Sequence, residues 1–269
     1  MSTIEIRQLQ AKNCPVKVAI FDFDGTISTL RCGWEQVMEE IMLTRLAPSG
    51  LPKEELLQRI RDYIDESTGI QTIFQMEWLA EQVKALCHTE PLDPWDYKDQ
   101  YNIALLEMVN RRIRQLETGE VDPSHFYVRG SREFLERLRA QGIEIYIASG
   151  TDDVDLQFEA GLLGITPLVS GVKGAPHRQK NCSKAAVIQD LVDSRHLSGS
   201  ELLVVGDGKV EIQLGNAAGA ITIGVATRET NMDSTFHPKK LLKLRQAKAD
   251  YITADFEALL EMWDSGTIV

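Results

Sequence analysis

Two aspartates one residue apart close an apolar run: Val16-Lys17-Val18-Ala19-Ile20-Phe21 leads into Asp22-Phe23-Asp24-Gly25-Thr26. Carboxylates act as oxygen nucleophiles, as proton carriers and as ligands for hard cations. At a strand end two of them can stand side by side once the chain turns, and Gly25 permits that turn without a side-chain clash. Acids followed by glycine usually make only a polar loop. What singles out this pair is its context, a nearly continuous apolar run suited to a strand buried on both faces of a parallel sheet.

Comparable runs recur at Ile143-Glu144-Ile145-Tyr146-Ile147, Glu201-Leu202-Leu203-Val204-Val205 and Ala220-Ile221-Thr222-Ile223-Gly224-Val225, each after a helix-like segment. Alternating strands and helices predict an α/β fold, a Rossmann-like, doubly wound, mainly parallel sheet. Such sheets bind ligands at the carboxyl ends of their strands.

The stretch between the first run and the second reads differently. Apolar residues fall at helical spacing in four sets: Trp34, Val37, Met38, Ile41 and Met42; Leu56, Leu57, Ile60 and Ile64; Ile73, Met76, Leu79, Val83 and Leu86; and Ile103, Leu106, Val109, Ile113 and Leu116. Breaks fall at Pro48-Ser49-Gly50, Thr68-Gly69 and Pro91 to Pro94. The expected organisation is a core of residues 1–28 and 129–269 with a helical insert at 29–128, and no internal repeat.

A chain of 269 residues, 43% hydrophobic, can bury a substantial core. No apolar stretch reaches the roughly 18 residues of a membrane span, and Met1 to Lys17 lacks a signal-peptide apolar region, so a soluble cytoplasmic protein without a membrane partner is expected. Cys14, Cys32, Cys87 and Cys182 form no CxxC pair, and His88, His125, His177, His196 and His237 lack ligand spacing; free thiols and no His/Cys metal site follow. Asn181-Cys182-Ser183 fits a glycosylation sequon but has no secretory route to use it. The formal charge of −11 disfavours nucleic acid, and it also repels phosphorylated metabolites, so an anionic substrate needs local cationic groups and a bound cation.

VAIFDFDGTIS resembles the first motif of the haloacid dehalogenase superfamily, and three further motifs follow in order. Ser149 ends the run IEIYIAS, as the second-motif hydroxyl does; Lys184 opens SKAAVIQDLV, as the third-motif lysine does; Asp207 in VVGDGKVE follows a strand, as the fourth-motif acid does. Each later motif is weak alone, but four in order with suitable spacing are specific. Lys184 carries a separate signal. With Ser183 as cap it sits in a first helical turn, where a cation is disfavoured by roughly 0.3–1 kcal/mol, and local rules tend to break at functional sites. Lys180 and Lys209 are the rivals for its role. Asp152, Asp153 and Asp155 suit a helix's first turn and are read as structural.

The resemblance implies a phosphohydrolase acting on a small phosphorylated metabolite, a sugar phosphate or similar monoester. Asp22 would be the nucleophile that forms an aspartyl-phosphate, and Asp24 the acid and then the base. Ser149, Lys184 and the backbone N–H groups of Thr26 and Gly150 would bind phosphate oxygens. A carboxylate approaching a phosphate dianion meets repulsion of roughly 4 kcal/mol per charge pair at ~4 Å, about twice that for the dianion. Mg2+ on Asp22, the Asp24 carbonyl and Asp207 would offset it. Glu211 stands where the family commonly has a second aspartate and is expected to reach the ion through water.

Among other members of the superfamily, a phosphomutase keeps both aspartates and is the strongest rival; a non-catalytic metabolite sensor is the rival from outside enzymes. The insert's position resembles the cap of phosphoglycolate-phosphatase and β-phosphoglucomutase relatives. Arg31, Cys32, Trp34 and the Thr68-Gly69-Ile70-Gln71 turn are the candidates for reading the substrate beyond its phosphate, each equally readable as an ordinary helix-start or core residue.

Overall fold

The computed structural model describes residues 4–6, 15–180, 184–230 and 233–266. Cys14, Cys182, the sequon and the proposed cap Ser183 lie outside them. Among the described residues seven strands form one sheet: β1 (Ile4–Ile6), β2 (Val18–Phe21), β3 (Glu144–Asp152), β4 (Gly171–Ala175), β5 (Leu202–Gly206), β6 (Ile221–Val225) and β7 (Tyr251–Thr253). Their order is β1-β7-β6-β5-β2-β3-β4, and every pairing is parallel except β1 with β7. β2 lies between β3 and β5, with Phe21 level with Ile147 on one side and Val205 on the other.

Alternation along the central strands divides the core in two. Ala19, Phe21, Leu203 and Val205 pack with Phe134 and Trp263, on the side covered by α5 (Ser131–Ala140) and α10 (Glu257–Asp264). Val18, Ile20, Leu202 and Val204 pack with Ile188, Leu191 and Leu214, on the side covered by α7 (Lys184–Arg195) and α8 (Lys209–Ala217). Strands covered on both faces read as continuous apolar runs, which is why they were visible in the sequence. α6 (Asp153–Leu162) follows β3, and α9 (Pro238–Gln246) precedes β7.

The insert comprises α1 (Trp34–Leu46), α2 (Lys53–Glu66), α3 (Thr72–Gln82) with a π-helical turn at Val83–Cys87, and α4 (Pro94–Glu117). It leaves and re-enters the core through two paired segments: Thr29 donates to the Phe126 carbonyl (2.8 Å) and Val128 to that of Ile27 (2.9 Å), with Ser28 facing Tyr127. Each of the four helices buries apolar residues from the set its spacing marked, such as Met38 and Met42, or Leu56, Ile60 and Ile64.

Candidate active site

Because β2, β3 and β5 are parallel, the residues at their carboxyl ends meet at one edge of the sheet. There Asp22, Asp24, Ser149, Gly150, Lys184 and Asp207 line one cavity of about 100 Å³. The insert supplies its other wall, with Arg31, Trp34 and Gly69 among the lining residues.

Asp22 is fastened by its own N–H, which donates to the Val205 carbonyl at 2.9 Å, and its Oδ1 accepts from Lys184 Nζ at 2.9 Å. Burial pushes its carboxyl up to about 6; Lys184 pulls the other way, while the charges of Asp207 and Asp24 add to the rise. Asp24 accepts from the Thr151 hydroxyl at 2.7 Å through Oδ2, whereas its buried Oδ1 has no partner among the described residues. It too is pushed up to about 6 by burial, against the pull of Arg31. A carboxyl in that range can give and take a proton near neutrality.

Gly25 makes this geometry possible. Its φ is +71°, and a Cβ there would strike Asp207 Oδ2 and come within 3.0 Å of both Glu229 Oε1 and Lys240 Nζ. The turn it makes has a consequence for Thr26, expected to offer its N–H to phosphate. Thr26, Ile27 and Ser28 all roll back to donate to the Phe23 carbonyl, at 3.3, 2.9 and 2.9 Å, and Thr26 is fully buried and does not line the cavity. That expectation is corrected: the N–H of Thr26 closes the turn.

Lys184 opens α7 and is 9% exposed, with Nζ bonded to both Asp22 and Glu211. Its rivals lie elsewhere: Lys180 pairs with Glu77 of α3, and Lys209 opens α8 without lining the cavity. Glu211, in the first turn of α8 and 3% exposed, spends Oε1 on Lys184, while its buried Oε2 has no partner among the described residues. Ser149 Oγ accepts from the N–H of Thr151 at 3.1 Å.

Of the residues suggested for reading a substrate, Arg31 is buried and committed to Glu159 (2.6 Å) and Asp155 (3.2 Å), both on α6. Gly69 has φ +92° and lies against Glu211, where a Cβ would be 3.0 Å from Oε1. Thr68 and Ile70 line the cavity, Gln71 does not, and Cys32 lies in an adjoining cavity of about 550 Å³. Asp152, read as structural, forms part of the wall and binds Lys98 and Asn102 of α4.

Sequence reasoning missed Lys240 and Glu229. Lys240, in the first turn of α9, places Nζ 2.6 Å from Asp207 Oδ2 and 2.6 Å from Glu229 Oε1. Burial opposes its charge, but the two carboxylates outweigh burial and hold the ammonium above the usual lysine range. A signal existed. His237-Pro238-Lys239-Lys240 starts a helix with cations against the dipole, the same broken rule that marked Lys184.

Among the described residues, no three His, Cys, Asp and Glu side chains form a ready metal cluster. Mg2+ does not require one, since it is commonly held by one or two carboxylates with waters and substrate oxygens. The donor chemistry fits: Asp22, Asp207, Glu211 and Glu229 pair with Lys184 and Lys240, and Asp24 feels Arg31, whose guanidinium is already bonded to Glu159 and Asp155, which leaves excess negative charge and two orphaned buried carboxylate oxygens.

A doubly wound, mainly parallel sheet with two aspartates after an interior strand, a lysine on the first and a further aspartate after the neighbouring strand defines a class of hydrolase. The family model for haloacid dehalogenase-like hydrolases matches residues 16–219, and the chain belongs to that family. No curated protein matches it in sequence. Among solved structures it is similar to one described as a predicted phosphoglycolate phosphatase from Haemophilus somnus (17% identity, 92% of this chain and 98% of that one, TM-score 0.59). It is also similar to a β-phosphoglucomutase from Clostridium difficile (13%, 94% and 100%, TM-score 0.59) and a predicted phosphatase from Clostridium acetobutylicum (14%, 94% and 100%, TM-score 0.55). At these identities the likeness is one of fold. No helix among the described residues is long and apolar enough to cross a membrane.

Proposed function

We propose that this protein is a magnesium-dependent phosphatase that hydrolyses a small phosphorylated metabolite through a phosphorylated Asp22. The observation that carries the reading is the arrangement of Asp22 and Asp24 at the end of β2, one carboxylate held by Lys184 and the other turned to Thr151 with one oxygen unclaimed. Asp22 attacks phosphorus. Asp24 delivers its proton to the departing ester oxygen, then takes one from the water that cleaves the acyl phosphate, so its carboxyl ends as it began. Ser149 and Lys184 bind phosphate oxygens, with the N–H of Gly150 beside them.

Mg2+, held by Asp22, Asp207 and the Asp24 carbonyl, with Glu211 reaching it through water, would neutralise phosphate charge as the anionic nucleophile approaches. Residues 29–128 act as a cap that excludes water and reads the leaving group. Wall residues Trp34, Gly69, Lys98, Asn102 and Asp152 sit where such reading would occur.

The test is phosphate release from a panel of phosphorylated metabolites with Mg2+, comparing the wild type with Asp22→Asn. The amide nearly preserves shape but is a far poorer nucleophile, so turnover should vanish while the fold persists. Retention of more than a trace of activity by folded, undeamidated Asp22→Asn overturns the reading. A phosphomutase keeps the same two aspartates; an isomeric sugar phosphate formed with no free phosphate would favour it.

A further inference from the structure

Asp207 reaches the sheet edge with its two oxygens in unequal circumstances. Oδ2 accepts from Lys240 Nζ at 2.6 Å, whereas Oδ1 takes no part in that ion pair. Lys240 is in turn fixed by Glu229, also at 2.6 Å. The arrangement is closed from above by the backbone at Gly25, where a Cβ would contact all three side chains. It is buried, with 14% of the Lys240 side chain, 9% of Asp207 and 13% of Glu229 exposed, so solvent screens it little. A lysine in the first turn of a helix works against the helix dipole, and this one gives up hydration as well. Such a placement asks for a compensating use.

We propose that Lys240, clamped by Glu229, is a positioning residue that blocks one oxygen of Asp207, so that Asp207 can give a metal ion only one oxygen, and thereby sets selectivity for Mg2+ over Ca2+. The inference rests on the magnesium-dependent reading above. Mg2+ demands a near-ideal octahedron of oxygens at about 2.0–2.1 Å, which single carboxylate oxygens and waters satisfy. Ca2+ takes six to eight oxygens at about 2.3–2.6 Å and readily accepts both oxygens of one carboxylate. An ammonium on Oδ2 removes the second mode and leaves the first. Lys184 does the corresponding thing at Asp22, where Oδ1 is occupied at 2.9 Å. Each of the two carboxylates therefore meets the ion with one oxygen already claimed by a lysine.

The experiment is isothermal titration of MgCl2 and of CaCl2 into chelator-stripped, full-length protein, for the wild type, Lys240→Met, Glu229→Gln and the double variant. Methionine keeps the length of lysine and donates nothing. Changes in groups that support metal ligands typically alter affinity about 10–100-fold. The expected result is that Lys240→Met shifts the ratio of the Mg2+ and Ca2+ Kd values toward Ca2+ by about tenfold or more, while Glu229→Gln, which leaves Lys240 on Asp207, keeps the wild-type ratio. If Lys240→Met fails to fold because it strands the buried Glu229 charge, the double variant removes that charge and should show the same shift. Tightening of both metals with an unchanged ratio would mean that Lys240 merely fills the place of the ion, and overturns the proposal. So does wild-type protein that binds neither metal. Failure of the phosphatase reading looks different: wild-type protein that binds Mg2+ yet releases no phosphate from any ester.

Discussion

Lys98 of α4 donates to the carboxylate of Asp152 at the end of β3, tying the longest helix of the insert to the strand that carries Ser149. Asn102, one turn along α4, donates to the other Asp152 oxygen at 2.8 Å. Lys98, Asn102 and Asp152 all line the cavity. Lys98→Met should therefore loosen the insert over the site. Breaking a fully buried pair costs about 3–5 kcal/mol, but 24% of the Asp152 side chain is exposed and Asn102 remains, so about 1–2 kcal/mol is expected. Thermal unfolding would show a fall of a few degrees, and steady-state kinetics a roughly tenfold loss in kcat/KM carried mainly by KM. An unaltered KM would remove this clasp from substrate closure.

The protonation of Asp22 and Asp24 gives a second prediction. Both carboxyls are raised to about 6 by burial, so the folded state holds their protons more tightly than the unfolded chain, where a carboxyl titrates near 4. A raised carboxyl stabilises the fold at low pH, and that contribution is lost as pH climbs from about 4 through 6, roughly 3 kcal/mol for a two-unit shift. A cation bound by the ionised Asp22 reverses the loss and competes with the proton. The rise in unfolding temperature produced by Mg2+ should thus be larger at pH ~7.5 than at pH ~5. Equal rises at both pH values would argue against a metal held by Asp22.

Gly25→Ala should damage the site more than the fold. An alanine at φ +71° costs on the order of 1–2 kcal/mol, and its methyl would collide with Asp207 Oδ2. Asp207 and Lys240 must shift to admit it. The expected variant folds, melts several degrees lower and shows a weakened response to Mg2+ in the same thermal assay. A wild-type magnesium response would show that the close fit under Gly25 is unimportant.

How much of this could be read from the sequence follows from the range of the interactions. β2 with Asp22 and Asp24, β3 with Ser149, and β5 with Asp207 were legible because a doubly covered strand writes itself as a continuous apolar run. Lys184 was legible by position and by its conflict with the helix dipole. β4, whose Gly171-Val172-Lys173-Gly174-Ala175 has little apolar content, and β1 and β7, three residues each, lacked such runs. The partners of the site residues were hidden for another reason. Glu159 meets Arg31, and Lys240 meets Asp207, only because the fold brings distant segments together, and no local pattern encodes which charge faces which.

Glu211 illustrates how a partner changes an expectation. Its position alone suits a water-holding group beside the metal, a role whose loss in Glu211→Ala would only raise the magnesium requirement. With Oε1 on Lys184, the same substitution also strips a buried ammonium of one of its two carboxylates. Because Lys184 retains Asp22, a loss of about 3 kcal/mol is expected, the lower end of the range for breaking buried pairs. Glu211→Gln keeps an acceptor and should recover much of that stability. Chemical denaturation of the two variants checks this, and equal stability of Glu211→Ala and wild type would contradict the ion pair.

Arg31 gives the sharpest separation between a structural and a substrate-reading role. It lies on the segment that leads into the insert, lines the cavity and was a candidate for contacting the leaving group, yet its guanidinium donates to Glu159 from two nitrogens, with Nη2 also reaching Asp155. Glu159 is 1% exposed, and burial raises its carboxyl against the pull of Arg31. Arg31→Met therefore strands a buried acid, and about 3–5 kcal/mol of destabilisation is expected. Replacing both partners removes the stranded charge. The double variant Arg31→Met, Glu159→Met should recover most of the lost stability, since a buried pair exchanged for apolar groups of similar volume is often neutral. A double-mutant cycle in denaturant measures the coupling, with Asp155 left in place as a half-buried acid that water can reach. If the double variant is stable and keeps wild-type preference across a substrate panel, Arg31 anchors the insert to α6. If stability returns but the preference among leaving groups collapses, the guanidinium touches substrate as well as Glu159.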